Sequence, residues 1–214
     1  DHWADLDPAY EQCGAGTSQS PVNLGGKFYG ELPDFEIHYQ PSGGTVVNNG
    51  HTIMFTPTDA GYIVISAKRY NVAQIHFHSP SEHTVNNGSF AMESHIVHKA
   101  EDGTLAVVAT LFKSGAANSV VDQLFSSANS AVDKETTLAG TIDPQGLLFW
   151  YKSYFRYAGS LTTPPCSEGV NWTVLEGIMS VSEAQAQALT SLVGPNARPI
   201  QPLNGRFPTY SAMD

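Results

Sequence analysis

Gln74-Ile75-His76-Phe77-His78, followed by Glu93-Ser94-His95-Ile96-Val97, is the stretch from which the rest of this chain can be read. Side chains at alternate positions of a β-strand lie on one face. Gln74, His76 and His78 therefore point the same way if this run is a strand. Glu93, His95 and Val97 form a second alternating set, with His95 seventeen residues after His78. Asn86-Asn87-Gly88 between them is a hairpin signal. Two antiparallel neighbours would bring all three imidazoles to one spot. Three neutral imidazoles plus one open position make the ligand set of a catalytic zinc. Gln74 and Glu93 each stand two residues before a histidine, on its face. Acceptors placed there fix the tautomer and direction of a ligating ring. A sheet with purely structural histidines is the plainer alternative, and a lone His-x-His does not exclude it. His95 with Glu93 at the right parity favours the metal.

The chain has 214 residues, with no composition break, linker or repeat, so residues 1–214 read as one domain. Twenty Asp and Glu against ten Lys and Arg give a net charge of −10. That balance argues against a nucleic-acid or anionic-membrane partner. No run is long and apolar enough to span a bilayer. The chain starts at Asp1-His2-Trp3 with no signal-peptide pattern, as expected of a mature form whose signal peptide has been removed. The two cysteines, Cys13 and Cys166, allow either one disulfide or two free buried thiols. A bond would close a loop of about 150 residues, contribute roughly 4 to 5 kcal/mol on the chain-entropy model, and imply an oxidising compartment.

The remaining sequence reads as mainly β (α+β). Strands are expected over 35–39, 45–48, 52–56, 62–66, 70–78, 90–98, 105–113 and 171–179, separated by Gly, Pro, Asn and Asp clusters. The 105–112 run is almost continuously apolar and reads as a central strand covered on both faces. Val120, Val121, Leu124, Phe125 and Ala128 show helical spacing. A second helix is expected over 182–192, where Ser182-Glu183-Ala184-Gln185 is a capping-box pattern. The expected architecture is a large, mostly antiparallel twisted sheet with short helices at its periphery.

Ser160-Leu161-Thr162-Thr163-Pro164-Pro165-Cys166 reads by itself as a turn. Joined to Gln-x-His-x-His, Ser81-Glu82-His83-Thr84-Val85 and Glu-x-His-x-Val-His, it resembles the α-class carbonic anhydrases. Gln19-Ser20-Pro21-Val22-Asn23, Asn49-Gly50-His51, Asn171-Trp172-Thr173-Val174 and Asn196-Ala197-Arg198-Pro199 fit further landmarks of that family, in order and over most of the chain.

The resemblance implies the α-carbonic anhydrase fold. It also implies reversible hydration of CO2 to bicarbonate through zinc-bound hydroxide, with esterase activity on the side. His76, His78 and His95 would hold Zn2+, with Gln74, Glu93 and the Asn196 carbonyl behind them. Thr162 would accept a hydrogen bond from the hydroxide and donate its own to Glu82. His51 matches the proton-shuttle histidine. Val97, Val107, Leu161, Thr163, Val170 and Trp172 would line the CO2 pocket. His83 and His98 look structural, and parity puts His98 on the face opposite His95. Cys13 and Cys166 match a cysteine pair of bacterial and extracellular members, which implies a disulfide and a periplasmic or secreted enzyme. Anion and sulfonamide-type inhibitors are expected, and a homodimer is possible. Met54 and Asp5 depart from the animal enzymes and would lie on the water path between metal and His51. Two rivals remain. A cupin would use Glu82 as a ligand with iron or manganese, but it leaves Thr162-Thr163-Pro164-Pro165 without a purpose. A non-catalytic relative would typically have lost a ligand histidine.

Overall fold

The computed structural model describes residues 2–33, 35–149 and 153–211. One strand pair organises it. Lys68–His78 and Met92–Lys99 run antiparallel, with His76 opposite His95 and His78 opposite Glu93. A β-bulge at Ala73 interrupts their register. Val72 and Gln74 are two residues apart and would share a face in a regular strand. The bulge instead sets Val72 opposite His98 and Gln74 opposite Val97, on different faces. The same strand thus gives Val72 to one core and Gln74 to the histidine side.

Across the sheet the order is Thr136–Thr137, Gly44–Asn48, Ile53–Pro57, Lys68–His78, Met92–Lys99, Leu105–Ser114, Glu168–Leu175, Tyr154–Ser160, Thr209–Ser211 and Phe28–Tyr29. Phe35–Tyr39 and Gly61–Ile65 extend it beside Lys68–His78, and Met179–Val181 joins the far end of Leu105–Ser114. Thirteen strands are so joined among the described residues. Most pairs are antiparallel, but Leu105–Ser114 runs parallel to both Glu168–Leu175 and Met179–Val181. Asn23–Leu24 and Thr84–Val85 form a separate parallel pair.

The sheet is covered on both faces, so its central strands are buried on both sides. Ile75, Phe77, Ile96 and Phe112 face one core, under the helices Ser119–Ser127 and Glu183–Val193. Val97, Val107, Leu111, Tyr157, Trp172 and Val174 form the other, on the histidine side. The second helix starts where its capping box places it, and the first spans the apolar spacing read from the sequence except Ala128, which lies just past its end. Asn118 caps the first, and Ser182 with Gln185 closes a complete capping box on the second. Gln185 also donates to the Asn118 carbonyl and accepts from the Asn118 N–H, so one side chain ties both helix starts together.

Three expectations need correcting. The 171–179 strand is two strands, Glu168–Leu175 and Met179–Val181. Val174 lies opposite Ala109 and Met179 opposite Phe112, so the chain advances five residues while its partner advances three, and Glu176-Gly177 loops out. Tyr154–Ser160 is a buried strand that was not foreseen. Asn86-Asn87 does form a tight turn, with both residues at positive φ and Val85 and Gly88 exchanging two backbone bonds. That turn closes the short Thr84–Val85 segment within the longer connection between the two histidine strands.

Candidate metal centre

The antiparallel register brings His76, His78 and His95 together, with ring centroids 5.0, 5.0 and 4.6 Å apart. One nitrogen of each ring lies within 4.8 Å of the others. The opposite nitrogen of each ring is held from behind. His76 Nδ1 donates to Gln74 Oε1 at 2.7 Å, His78 Nδ1 to the Asn196 carbonyl at 3.0 Å, and His95 Nε2 to Glu93 Oε1 at 2.8 Å. Since each partner is an acceptor, the proton sits on the outer nitrogen and the lone pair faces inward. Burial, then repulsion from His95 and His78, pushes His76 well below the usual imidazole range. Burial lowers His78 as well, against the opposing pull of Glu82. Neutral rings are what a metal requires.

The donor set passes a direct test of fit. His78 Nε2 is buried and has no hydrogen-bond partner, a cost that a metal ion would remove. Three imidazoles, converging without a thiolate or carboxylate among the three, suit zinc with an open fourth position.

Behind His95 lies a buried polar network. Glu93 Oε1 also accepts from His83 Nδ1 at 2.6 Å, and Oε2 accepts the backbone N–H groups of Glu82 and His83 at 2.9 and 2.8 Å. Burial opposes ionisation of Glu93. Electrostatic attraction to the His83 and His95 rings and the hydrogen bonds they donate outweigh it and hold the carboxyl well below its usual range. His83 Nε2 meets Tyr157 Oη at 2.6 Å, and Tyr157 reaches Ser20 Oγ at 2.9 Å. Ser20 in turn accepts the Ser160 N–H. The network thus runs from a candidate ligand to the residue before Leu161-Thr162. Sequence reading placed His83 as structural and did not bring in Tyr157 or Ser20, because their meeting depends on the unforeseen Tyr154–Ser160 strand.

Glu82 and Thr162 are both buried. Glu82 Oε1 accepts the Arg198 N–H at 2.9 Å, and Oε2 lies 3.5 Å from His78 Nε2. The expected Thr162-to-Glu82 hydrogen bond is not made here, and Oε2 has no hydrogen-bond partner. That carboxylate oxygen is turned instead toward the histidine cluster, 4.0 Å from His95 Nδ1.

The expected apolar wall is one continuous cluster. Val97, Val107, Val170 and Trp172 are buried together, with Leu161 packed against them. Trp172 lies 4.9 Å from the His95 ring and is fixed by donation to the Ser160 carbonyl. Thr163 is exposed, and its carbonyl closes a turn by accepting the Cys166 N–H. His51 is exposed, and its carbonyl accepts from Asn196 Nδ2 at 2.8 Å. Asn196 was expected to act through its carbonyl alone. Its carboxamide also donates to the Phe77 carbonyl and accepts the Ser79 N–H, which locks the end of the histidine strand. Met54 is the cross-strand neighbour of His76. Asp5 is exposed on the N-terminal segment beside His2, 3.3 Å away.

Cys13 and Cys166 are joined as a disulfide, which settles the alternative the count left open. Arg198 reinforces that joint. Its guanidinium donates to Gln19 Oε1 and to the Ser20 and Cys13 carbonyls.

Comparison with known proteins agrees with this geometry. The family model described as eukaryotic-type carbonic anhydrase matches residues 1–211. A carbonic anhydrase of Klebsiella pneumoniae is 40% identical over 209 residues, covering 96% of this chain and 85% of that protein. A hyperthermostable carbonic anhydrase from an active hydrothermal vent chimney superposes with a TM-score of 0.94 at 41% identity, covering 100% of this chain and 95% of that one. The α-carbonic anhydrase of Thermovibrio ammonificans, solved with sulfanilamide, gives 0.92 at 38% identity over 98% and 93% of the two chains. With its three-histidine cluster, its sheet and its sequence all in agreement, the chain belongs to the α-carbonic anhydrase family.

Proposed function

We propose that this protein hydrates CO2 reversibly to bicarbonate and a proton, with a zinc ion held by His76, His78 and His95. The observation that carries the reading is the convergence of three imidazole nitrogens whose opposite N–H groups are each anchored to an acceptor. When bound, zinc supplies a Lewis acid that makes water a nucleophile near neutral pH.

The chain's own residues do the rest. Val97, Val107, Leu161, Val170 and Trp172 offer CO2, which has no charge and little dipole, an apolar surface next to the histidines, and Thr163 stands at its exposed edge. Glu82 Oε2, which has no hydrogen-bond partner, would accept from the Thr162 hydroxyl. A hydroxyl that donates there must itself accept from the attacking oxygen, and so aims its lone pair. His51, exposed and tied through its carbonyl to Asn196, would pass the released proton to buffer. The same nucleophile would cleave activated esters. Anions and sulfonamides would compete at the metal, as the sulfanilamide complex of the Thermovibrio relative supports. The disulfide and the bacterial relatives support a periplasmic or secreted location, and the family match supports a single domain over residues 1–214.

Zinc content and CO2 hydration measured on one sample test the reading. One zinc per chain is expected, and His95→Ala should lose both metal and activity. Purified protein without stoichiometric zinc, or a fully active His95→Ala variant, would overturn the assignment.

A further inference from the structure

A cavity of about 380 Å3 lies on the histidine side of the sheet, beyond Glu93. Leu111, on its floor, is the cross-strand neighbour of Glu93, just as Ala109 is of His95. The buried Glu93–His83–Tyr157 network therefore stands between this cavity and the metal centre. None of the three candidate ligands lines it, nor do Glu82, Thr162 or the proposed CO2 wall.

Its floor is apolar. Leu24, Leu111, Val174 and Phe155 are buried, and Val85 and Phe90 close one side. At the mouth, Lys27 Nζ donates to Glu176 Oε1 at 2.5 Å and to Tyr210 Oη at 3.0 Å, and Tyr210 donates to Glu176 Oε2 at 2.5 Å. This triad cancels its own charge. An ionic ligand would have to break the pair or sit against a like charge. Asn86 also lines the mouth, and its carboxamide makes no hydrogen bond among the described residues. A partly enclosed apolar site with a few polar groups at one end is the general form of a small-molecule pocket. An apolar cavity of roughly 150 Å3 already takes a benzene ring, so this one has room for two fused rings and a small head group.

We propose that this cavity is a second ligand site, for an uncharged one- or two-ring aromatic molecule carrying a single hydroxyl or carboxamide. The rings would lie on Leu111, Phe155 and Val174, and the head would meet the Asn86 carboxamide and the Lys27–Glu176–Tyr210 triad. The site stands independently of the metal reading.

The test uses 2-naphthol as probe on the methyl-labelled, zinc-loaded protein saturated with sulfanilamide, which keeps the probe off the metal. NMR should show saturable shifts at the methyls of Leu24, Leu111 and Val174, with those of Val97 and Val107 unmoved. Charged analogues, 2-naphthoate and 2-naphthylmethylammonium, should bind at least tenfold more weakly. Leu111→Phe, which grows into the cavity, should weaken 2-naphthol at least tenfold and leave CO2 hydration within twofold of the unsubstituted protein. Val85→Phe gives the same readout from the side of the cavity, should Leu111→Phe fold poorly. No saturable shift up to the solubility of the probe, shifts at Val97 and Val107 alone, equal binding of all three probes, or unchanged binding in the cavity-filling variants would each overturn the proposal.

Discussion

Two residues show how the same burial serves different ends. Thr162 is buried, and in the proposed reaction its hydroxyl would act on the reacting oxygen rather than on the metal. Thr162→Ala should therefore keep zinc but lower kcat/KM about 100-fold, the scale expected for removing one preorganised hydrogen bond at a transition state. Near-normal kcat/KM in that variant would show that Thr162 does not aim the nucleophile. His98 sits on the opposite face of the same strand as His95. It is fully buried, accepts from Tyr39 Oη at 2.8 Å and donates to the Ala106 carbonyl at 3.3 Å. Burial, partly offset by its backbone hydrogen bonds, lowers it to about 3. The unfolded chain takes up this proton near pH 6.5, while the folded protein does so only near 3. Stability should thus be untouched by His98 above pH 6.5, fall by about 1.4 kcal/mol per pH unit below it, and level off near pH 3. Urea unfolding between pH 7 and 4 should show a shallower decline in His98→Gln than in the unsubstituted protein. Parallel declines would refute the assignment.

At the scale of elements, what the sequence disclosed was what repeats with a simple period. The two histidine strands were legible because ligands, partners and core residues alternate. The first helix was legible from its apolar spacing alone, the second from the capping-box pair Ser182 and Gln185 at its start. Gln185 bonds to Ser182 N–H, Asn118 N–H and the Asn118 carbonyl. Its removal leaves several groups unpaired, two of them in a buried setting. Gln185→Ala should cost about 3 kcal/mol in chemical unfolding with little change in activity at 25 °C, because the helices lie on the face away from the histidines. A loss under 0.5 kcal/mol would mean that solvent replaces these bonds. The Tyr154–Ser160 strand escaped the pattern for local reasons. Arg156 looks like a surface residue, yet it is buried, with its guanidinium 4.9 Å from both the Phe35 and Tyr154 ring centres and donating to Thr173 Oγ1. Gly159 reads as a turn. It stands in the strand because a Cβ there would fall 2.1 Å from Ser20 Oγ. The bulge at Ala73 left no mark either, since Gln74 reaches the correct face whichever register the earlier residues take.

The whole molecule is held together by contacts far apart in sequence, and the site inherits that. Cys13 and Cys166 are separated by 153 residues, and their bond fixes the N-terminal segment to the loop carrying Thr162. Constraint of the unfolded chain by so long a loop is worth up to about 5 kcal/mol. Reduced protein, or a Cys13→Ser and Cys166→Ser double variant, should unfold at distinctly lower urea concentration than oxidised protein. Coincident transitions would show that the hydrogen bonds of Arg198, Glu168 and their neighbours hold the N-terminal segment without the bond. The same bond has a consequence for biosynthesis. At about 5 to 20 residues per second, Cys166 leaves the ribosome roughly 8 to 30 seconds after Cys13. No other cysteine lies between the two, so within residues 1–214 no scrambled pairing can arise in that interval. For these residues the hazard during that wait lies between chains, and it grows with the rate at which nascent copies are made side by side.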